Sequence, residues 1–474
     1  MLDDPGQLDG EELVLALGEV ERGEPRHAAN EVAVDPHGGE YSQRLDVPRA
    51  APLPSVPDVN ALPEPRDALR RLARRRLVRL ARRASGLSGV PFLLVGGAVR
   101  DALLGLPPGD ADLAAPAGGA EALAEALARL AGTRAVPIGA APRRILHVPV
   151  GRSSADVWEV EGDPAADLLR RDFTVNALGV SFPGGSLVAP EGALDDLRAR
   201  RLRLPRPGVL LEDPLRVTRA ARFLGRLPGF RLDPKARDEV RRAAARLDGI
   251  SPERRLAELD GILALGPGPA ARALGRLEDW GALCALLPGV PAASRRRGLA
   301  LLSRAPSSPQ ALLRALLLSA AGPEAAARAL EALRASRRDR RMTETLLALP
   351  RPPRAPSRRD AALLLRRSAP YSREAVVFTA AARGPSGRAL AREAGRLLET
   401  RGALGRILKP RRPLSAVEVA RLLGVSGPSL GLALARLDEA LATGDVRGRR
   451  QAAGFLLGAG RTPPHAIRPR SGSV

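Results

Sequence analysis

Strand-forming sequence is confined to one stretch of this chain. Between Pro91 and about residue 200, short apolar runs such as "PFLLV", "DADLAA", "RRILHVPV" and "SADVWEV" alternate with helix-periodic segments such as "AVRDALLG" and "EALAEALARLAG". Beyond about residue 205 the strand patterns stop. Leu/Ala/Arg helices broken by Pro and Gly run on from there, as in "AARALGRLEDWGALCALLPGVP". That pattern predicts an α/β head with a mixed β-sheet followed by an all-α part. Aromatics make up only 2% of the residues, so the core must be built from Leu, Ala and Val. Ala, Leu and Arg are strong helix formers, which reinforces the helical bias. At 474 residues the chain has room for about three domains.

The flanks differ from this core. Residues 1–60 are acidic at first and then rich in Pro, Gly and polar residues, which predicts disorder with one short helix at 10–20. A basic helix, "DALRRLARRRLVRLARRASG", follows, with Asp67 expected to cap its start and Gly86 its end. Two readings of its arginines are open: contact with phosphates, or a solvated face. The stretch "LPRPPRAPSRRD" from Leu349 reads as a linker, and no fixed-period repeat is present.

The formal net charge is +23, and lysine occurs only at Lys235 and Lys409. A field of that sign attracts polyanions, which makes nucleic acid the expected partner. The single cysteine, Cys284, excludes a disulfide framework or a cysteine zinc site within one chain. His27, His37, His147 and His465 are too dispersed to form a ligand cluster. The N-terminus is acidic without a basic leader segment, and no run of about 18 apolar residues occurs. No membrane span and a cytoplasmic location are therefore expected.

The chemistry concentrates in three clusters. The first is "LLVGGAVRDALLGLPPGDADLAAP", Leu93 to Pro116. Gly96 and Gly97 leave backbone N–H groups bare at a helix start, where an anion such as phosphate is favoured. Arg100, one turn in, offers a charge-assisted contact to the same phosphate. Asp110 and Asp112 stand two apart on a strand and so point to one face. They suit Mg²⁺, a hard cation that prefers oxygen ligands. Read alone, Asp110 could equally cap the Pro/Gly turn while Asp112 is solvated. The second cluster, "DLLRRDFTVNALGV" (Asp167 to Val180), sets two arginines and an aspartate before an apolar strand or helix start. The third is "LLEDPLRVTRAARFLG", Leu211 to Gly225. There Asp213 is expected as a helix N-cap with Pro214 at the first helical position. Arg216 and Arg219 follow at three-residue intervals, and Arg222 lies further round the helix. A cap followed by a surface ladder of arginines is the plainer reading.

In this order the three clusters resemble the class II nucleotidyltransferases, the family of bacterial tRNA CCA-adding enzymes and their poly(A) polymerase relatives. The first is similar to the family's catalytic motif, "RRDFTVNAL" to its ribose-recognition motif and "EDPLRVTRAARF" to its nucleobase-recognition motif. "PERRLAELDGIL" is similar to the helix that usually follows. The tail, with "GVSGP" (Gly424 to Pro428) before a long helix, resembles the tRNA-type members rather than the poly(A) polymerases.

The resemblance implies a nucleotidyltransferase head over 61–200, a helical neck over 201–275, a body over 276–395 and a tRNA-binding tail over 396–474. It implies template-independent addition of C, A or both to the tRNA 3′ end from CTP and ATP, with Mg²⁺ on Asp110 and Asp112. Gly96, Gly97 and Arg100 would hold the triphosphate. Arg171 and Asp172 would sit at the ribose. Asp213 and Arg216 would pair with the base edge, supported by Arg219 and Arg222. An Asp acceptor beside an Arg donor matches A and C, which both present an exocyclic amine next to a ring nitrogen acceptor. The helical part would grip the acceptor and T arms through phosphates and shape. A poly(A) polymerase and an inactive RNA-binding relative are the alternatives.

One departure bears on specificity. Family members carry an acidic strand residue, then an Arg-bearing flexible loop that helps switch from CTP to ATP. Here Asp156 is the candidate acidic residue and third carboxylate, Trp158 and Glu159 replace the usual Phe-Arg, and only 13 residues separate Asp156 from Arg170. CC-adding relatives lack a full loop of this kind, so a connection this short sets terminal A addition in question and leaves CCA and CC addition both open.

Overall fold

The computed structural model describes residues 62–139, 144–227 and 229–459. The expected disorder and short helix within residues 1–60 lie outside these. The described chain divides into two compact units. Residues 62–265 and 272–286 form the first, and 266–271 and 287–459 the second.

The first unit opens with helices α1 (Pro65–Ala73) and α2 (Arg76–Ser88). They are two helices, not the single one expected. Arg75 is extended (φ −65°, ψ 139°) and breaks the run. The start lies at Pro65, not Asp67, because proline suits a first helical turn whose N–H groups lack partners. The end is Gly89, whose left-handed φ of 70° closes α2, while Gly86 lies inside the helix.

The strands β1 (Phe92–Val95), β2 (Ala111–Pro116), β3 (Val136–Ile138), β4 (Ile145–Val150), β5 (Ser153–Val160), β6 (Gly179–Phe182) and β7 (Leu187–Val188) form one mixed sheet. Their order is β3-β4-β5-β2-β1-β6-β7. Only β2 and β5 pair in parallel, and every other neighbouring pair is antiparallel. Helix α3 (Gly97–Leu103) follows β1, and α4 (Ala120–Ala131) follows β2. Helices α2 and α4 pack on each other and on one face of the sheet. Leu113, Val148 and Val157 are fully buried in the sheet, each such side chain being worth about 2 kcal/mol of burial.

On the other face Leu93, Val95, Ala114 and Val160 pack with Leu168 and Ala177. Leu168 ends the short helix α5 (Pro164–Leu168), and Ala177 follows a 3₁₀ turn at Thr174–Asn176. The second charged cluster is thereby pinned across the sheet, beside the start of β2. Helices α6 (Ala193–Arg198), α7 (Val209–Glu212), α8 (Arg216–Arg226), α9 (Arg237–Ala244) and α10 (Pro252–Leu263) complete most of the unit. Strand structure does not stop at residue 205 as expected. Strand β8 (Arg201–Leu202) pairs in parallel with β9 (Arg231–Leu232), a bridge too short for periodicity to reveal.

The described part of the second unit is helical. The Pro/Arg stretch joins helices Arg337–Ala348 and Arg358–Arg367 without regular structure. Leu414, Val419, Leu437 and Leu456 form a core among helices Ala416–Leu423, Gly427–Thr443 and Arg449–Ala459. The long helix follows the "GVSGP" motif as expected but starts within it, with Gly427 and Pro428 in its first turn. No single helix among the described residues is long and apolar enough to cross a membrane.

Candidate active site

Gly96 joins β1 to α3 in a conformation that side chains rarely adopt (φ 77°, ψ −133°). Space is short as well. A Cβ there would lie 2.9 Å from Arg171 Nη1 and 3.2 Å from Asp112 Oδ2. Glycine at this position therefore lets the first two charged clusters meet.

Asp112 lies on β2, directly opposite Val95 on β1 and Asp156 on β5. Paired residues in a sheet share a face. Asp110 lies just before β2, and its Oδ1 accepts the Ser154 N–H at 2.7 Å. Asp156 is held from its far side by His147 Nδ1 at 2.7 Å, on the next strand. Burial raises the Asp112 carboxyl above the usual carboxylate range. Arg171 opposes this, Asp156 and Asp110 push it further up, and Arg219 pulls it down. Three carboxylates thus converge with Arg171 as the nearest cation, its Nη1 3.9 Å from Asp112 Oδ2. No cluster of three or more His, Cys, Asp or Glu with metal-holding geometry occurs among the described residues. Two carboxylates completed by substrate phosphates are nevertheless an ordinary Mg²⁺ arrangement, and the crowding of like charge at Asp112 suits a cation there.

Arg171 lies over the Trp158 ring, 5.4 Å from its centroid. Glu159 points the other way along the strand, and its carboxylate accepts the Ala120 N–H at the start of α4. The residues between Asp156 and Arg170 are taken up by the end of β5 and by α5. A compact connection, not a long loop, leads to Arg171.

Arg100 does not stand free for a phosphate. It is buried, with Nε and Nη2 donating to Asp101 Oδ1 at 2.8 and 2.6 Å and Nη1 donating to Asn176 Oδ1. Its guanidinium lies 4.9 Å from the Phe223 ring centroid. Arg226 donates to the other Asp101 oxygen at 3.0 Å. Asn176 Nδ2 in turn donates to Asp172 Oδ1 at 2.9 Å. Asp172, Asn176, Arg100, Asp101 and Arg226 form one chain of charge-assisted bonds tying the 3₁₀ turn, α3 and α8 together. Such bonds are about twice as strong as neutral ones.

The Asp213 cap expectation is corrected. Helix α8 begins at Arg216 with no side-chain cap, and Asp213 ends α7 in an extended conformation. The Asp213 carbonyl accepts the Arg216 N–H, so the turn closes through backbone and leaves the carboxylate to Arg254 Nη2 at 3.4 Å. Arg216 Nη1 donates to the Val209 carbonyl at 2.8 Å. Burial pulls the Arg216 guanidinium below its ordinary value, while Asp172 and Asp213 hold it up. Asp172 therefore faces the third cluster. Glu258 on α10 clamps the rest of α8. It lies 3.7 Å from both Arg219 and Arg222 and accepts Thr218 Oγ1 at 3.0 Å. Gly261 makes room, since a Cβ there would lie 2.8 Å from Arg222 Nη1.

All eleven predicted site residues thus fall in the first unit, in one continuous polar region. Residues missed from sequence are Asp101, Asn176, Arg226 and Glu258. Asp101 and Asn176 lie inside the quoted motifs, and only their buried bonds single them out. Glu258 stands four residues after Arg254, within the helix "PERRLAELDGIL".

Known proteins share this arrangement of segments. The Poly A polymerase head domain model matches residues 92–203, and the model described as the probable RNA and SrmB-binding site of polymerase A matches 229–293. The chain is 38% identical over 213 residues to the Multifunctional CCA protein of Xanthomonas campestris, covering 42% of this chain and 51% of that one. It thus spans about half the length of the first curated relatives it matches. It is 34% identical over 420 residues to the A-adding tRNA nucleotidyltransferase of Deinococcus radiodurans, covering 77% of this chain and 94% of that one. Among solved structures, the Bacillus stearothermophilus CCA-adding enzyme in complex with CTP superposes with a TM-score of 0.60 at 26% identity, covering 81% of this chain and 97% of that one.

Proposed function

We propose that this chain, which belongs to the tRNA nucleotidyltransferase and poly(A) polymerase family, adds C, A or both to the 3′ end of tRNA from CTP and ATP, releasing pyrophosphate. The observation that carries the reading is the meeting of Asp112 and Arg171 at the Gly96 turn, with Arg219 of α8 near enough to pull the Asp112 carboxyl down.

In this reading Asp110 and Asp112 hold Mg²⁺, which when bound activates the attacking 3′-hydroxyl and neutralises the leaving pyrophosphate. The carboxylates must be ionised to do so, and Arg171 holds Asp112 toward its charged form. The Gly96 N–H is donated to the Leu178 carbonyl at 2.9 Å, so the N–H groups that receive the triphosphate are those of the first turn of α3, from Gly97 on. Arg100 shapes that turn from beneath and acts through Asn176 and Asp172 on the ribose side. Arg171, beside Asp112 and over the Trp158 ring, would contact the nucleotide at its ribose. Asp213 and Arg216 present an acceptor and a donor to the base edge, which suits A and C and leaves U or G facing like groups. Glu258 fixes Arg219 and Arg222 so that α8 presents one arrangement.

The tRNA acceptor and T arms are the expected macromolecular substrate, held by phosphate and shape, and the cytoplasm the expected compartment. The relative that aligns along nearly its whole length adds A. Addition of a single A to a tRNA ending in CC is therefore the first form to look for, despite the short connection before Arg170. The test is incubation of the full chain with Mg²⁺ and tRNAs ending at the discriminator base, at C or at CC, given CTP, ATP or both. Products are then sized to one nucleotide. Extension by C or A alone supports the reading. Long A tracts on any RNA primer would show a poly(A) polymerase, and no extension would sink it.

A further inference from the structure

The basic helices α1 and α2 take no part in the site above. Residues 65–88 hold nine arginines and one acidic residue, Asp67. They precede the segment matched by the head-domain model, which starts at residue 92. Of the apolar side chains of the pair, Leu69, Leu72, Leu77 and Val78 are buried against the head, Leu80 is half-buried, and Leu87 near the end of α2 is exposed. Arg71, Arg74, Arg76, Arg79 and Arg83 are exposed.

None of those five has an acidic partner among the described residues; Asp67, the one carboxylate on the pair, lies beside Arg70. Neighbouring carboxylates do not serve them. Glu121 and Glu125 on α4, which packs on α2, pair with Arg144 and Arg129 instead. Arg76, Arg79 and Arg83 recur at three- and four-residue steps and so share one face of α2, about 10 Å long. Unbalanced like charges on one face repel each other and cost stability unless an anion meets them.

We propose that the exposed face of α1 and α2 is an RNA-binding surface, engaging the phosphodiester backbone of the substrate RNA at a distance from its 3′ end. Helix α2 packs on the sheet together with α4, while Asp112 lies on the face that Arg171 covers, so this surface is not the one that presents the carboxylates. Arginine forks suit phosphate oxygens bidentately. A membrane surface fits poorly, because a helix lying on lipid needs an exposed apolar face. Here that face is turned inward, and Leu87 alone is a strongly exposed large apolar side chain on the pair. The choice of RNA among polyanions rests on the reading of the active site above.

The test compares the full chain with the quadruple variant Arg71→Gln, Arg74→Gln, Arg79→Gln and Arg83→Gln. A second variant carries Lys at the same four positions. All four side chains are exposed, so the fold is not at stake. Binding of a tRNA transcript is measured over a salt series, together with nucleotide addition at saturating tRNA. Each arginine–phosphate pairing removed should flatten the log–log salt slope by about 0.7–0.9. The Gln variant should therefore show a slope less steep by about 3, an affinity at least ~10-fold weaker and unchanged kcat. The Lys variant should keep most of the affinity. Equal affinity and slope in the Gln variant and the wild type would overturn the proposal. So would loss of binding to phosphatidylglycerol vesicles with RNA binding untouched. Failure of the active-site reading would show separately, as a wild-type chain that binds RNA but adds no nucleotide.

Discussion

At the start of β2, Asp110 and Asp112 converge with Asp156, and the nearest guanidinium, Arg171, stands 3.9 Å from Asp112. On α8, by contrast, the guanidiniums have fixed partners. Arg216 donates to the Val209 carbonyl, and Arg219 and Arg222 share Glu258. The carboxylate end is short of positive charge and the arginine end is clamped. An end that must receive a cation is best left unbalanced, because a fully paired carboxylate would have to break its pairing first. An end that must read a base has the opposite need, since donors fixed in advance discriminate more sharply than mobile ones.

The largest effect should come from the unbalanced end. Asp112→Ala removes a metal ligand and is expected to lower nucleotide addition at least ~10³-fold, a loss of about 4 kcal/mol of transition-state stabilisation. Far-UV circular dichroism should remain that of the wild type. Activity within tenfold of wild type would show that the pair is not the metal site. The next largest should be structural. Arg100→Met leaves Asn176 and one Asp101 oxygen without their donor in a buried place, which is expected to cost about 3–5 kcal/mol in urea unfolding. Arg226 still holds the other Asp101 oxygen, so the loss should fall toward the lower figure. A change under ~1 kcal/mol would mean that the buried network does not hold α3 to α8.

The two ends also differ in how far they are legible in the sequence. Short apolar runs mark β1, β2, β4 and β5 because a half-buried strand imposes its own period. β3 and β7 to β9 are two or three residues long, below the length at which a period exists. Asp110 and Asp112 are legible because two carboxylates two residues apart stand out from a basic chain, although the strand takes up only Asp112 and leaves Asp110 just before it. Asp213 resembles a cap in sequence and is not one, because N-capping depends on the φ and ψ of the residues after it, which the Asp-Pro pair does not fix. Arg100 resembles a phosphate ligand because nothing in the sequence shows that Asp101 and Asn176 will both close on it. Glu258 stays hidden for the same reason, 39 residues from Arg219 in sequence.

Glu258→Gln tests the clamped end. The amide keeps the shape and can still accept from Thr218, but it removes the charge between Arg219 and Arg222. The expected outcome is a rise in KM for the nucleotide and a ~10–100-fold drop in kcat/KM, about 1.4–2.7 kcal/mol. Discrimination of ATP and CTP against UTP and GTP should narrow with it. An unchanged specificity ratio would show that the clamp steadies the fold without tuning the reading of the base.

The smallest effect is also the most specific to the unbalanced end. With its carboxyl raised above the usual range, Asp112 holds its proton more tightly when folded than when unfolded. Its ionisation therefore costs stability, and the cost appears as pH rises from the ordinary carboxylate value through the raised one. Below that window Asp112 is protonated in both states and costs nothing. Asp112→Asn should thus be no more stable than wild type at the acid end and slightly more stable at pH 7 without metal. The gain should stay under about 1 kcal/mol, because the partly exposed carboxylates are screened by solvent. Added Mg²⁺ should reverse the order, stabilising the wild type and leaving Asp112→Asn unmoved. Urea midpoints at pH 3 and 7, with and without Mg²⁺, give all four values. An Asn variant less stable than wild type at pH 7 without metal would assign Asp112 to holding the fold together, and the contrast between the two ends of the site would fall with it.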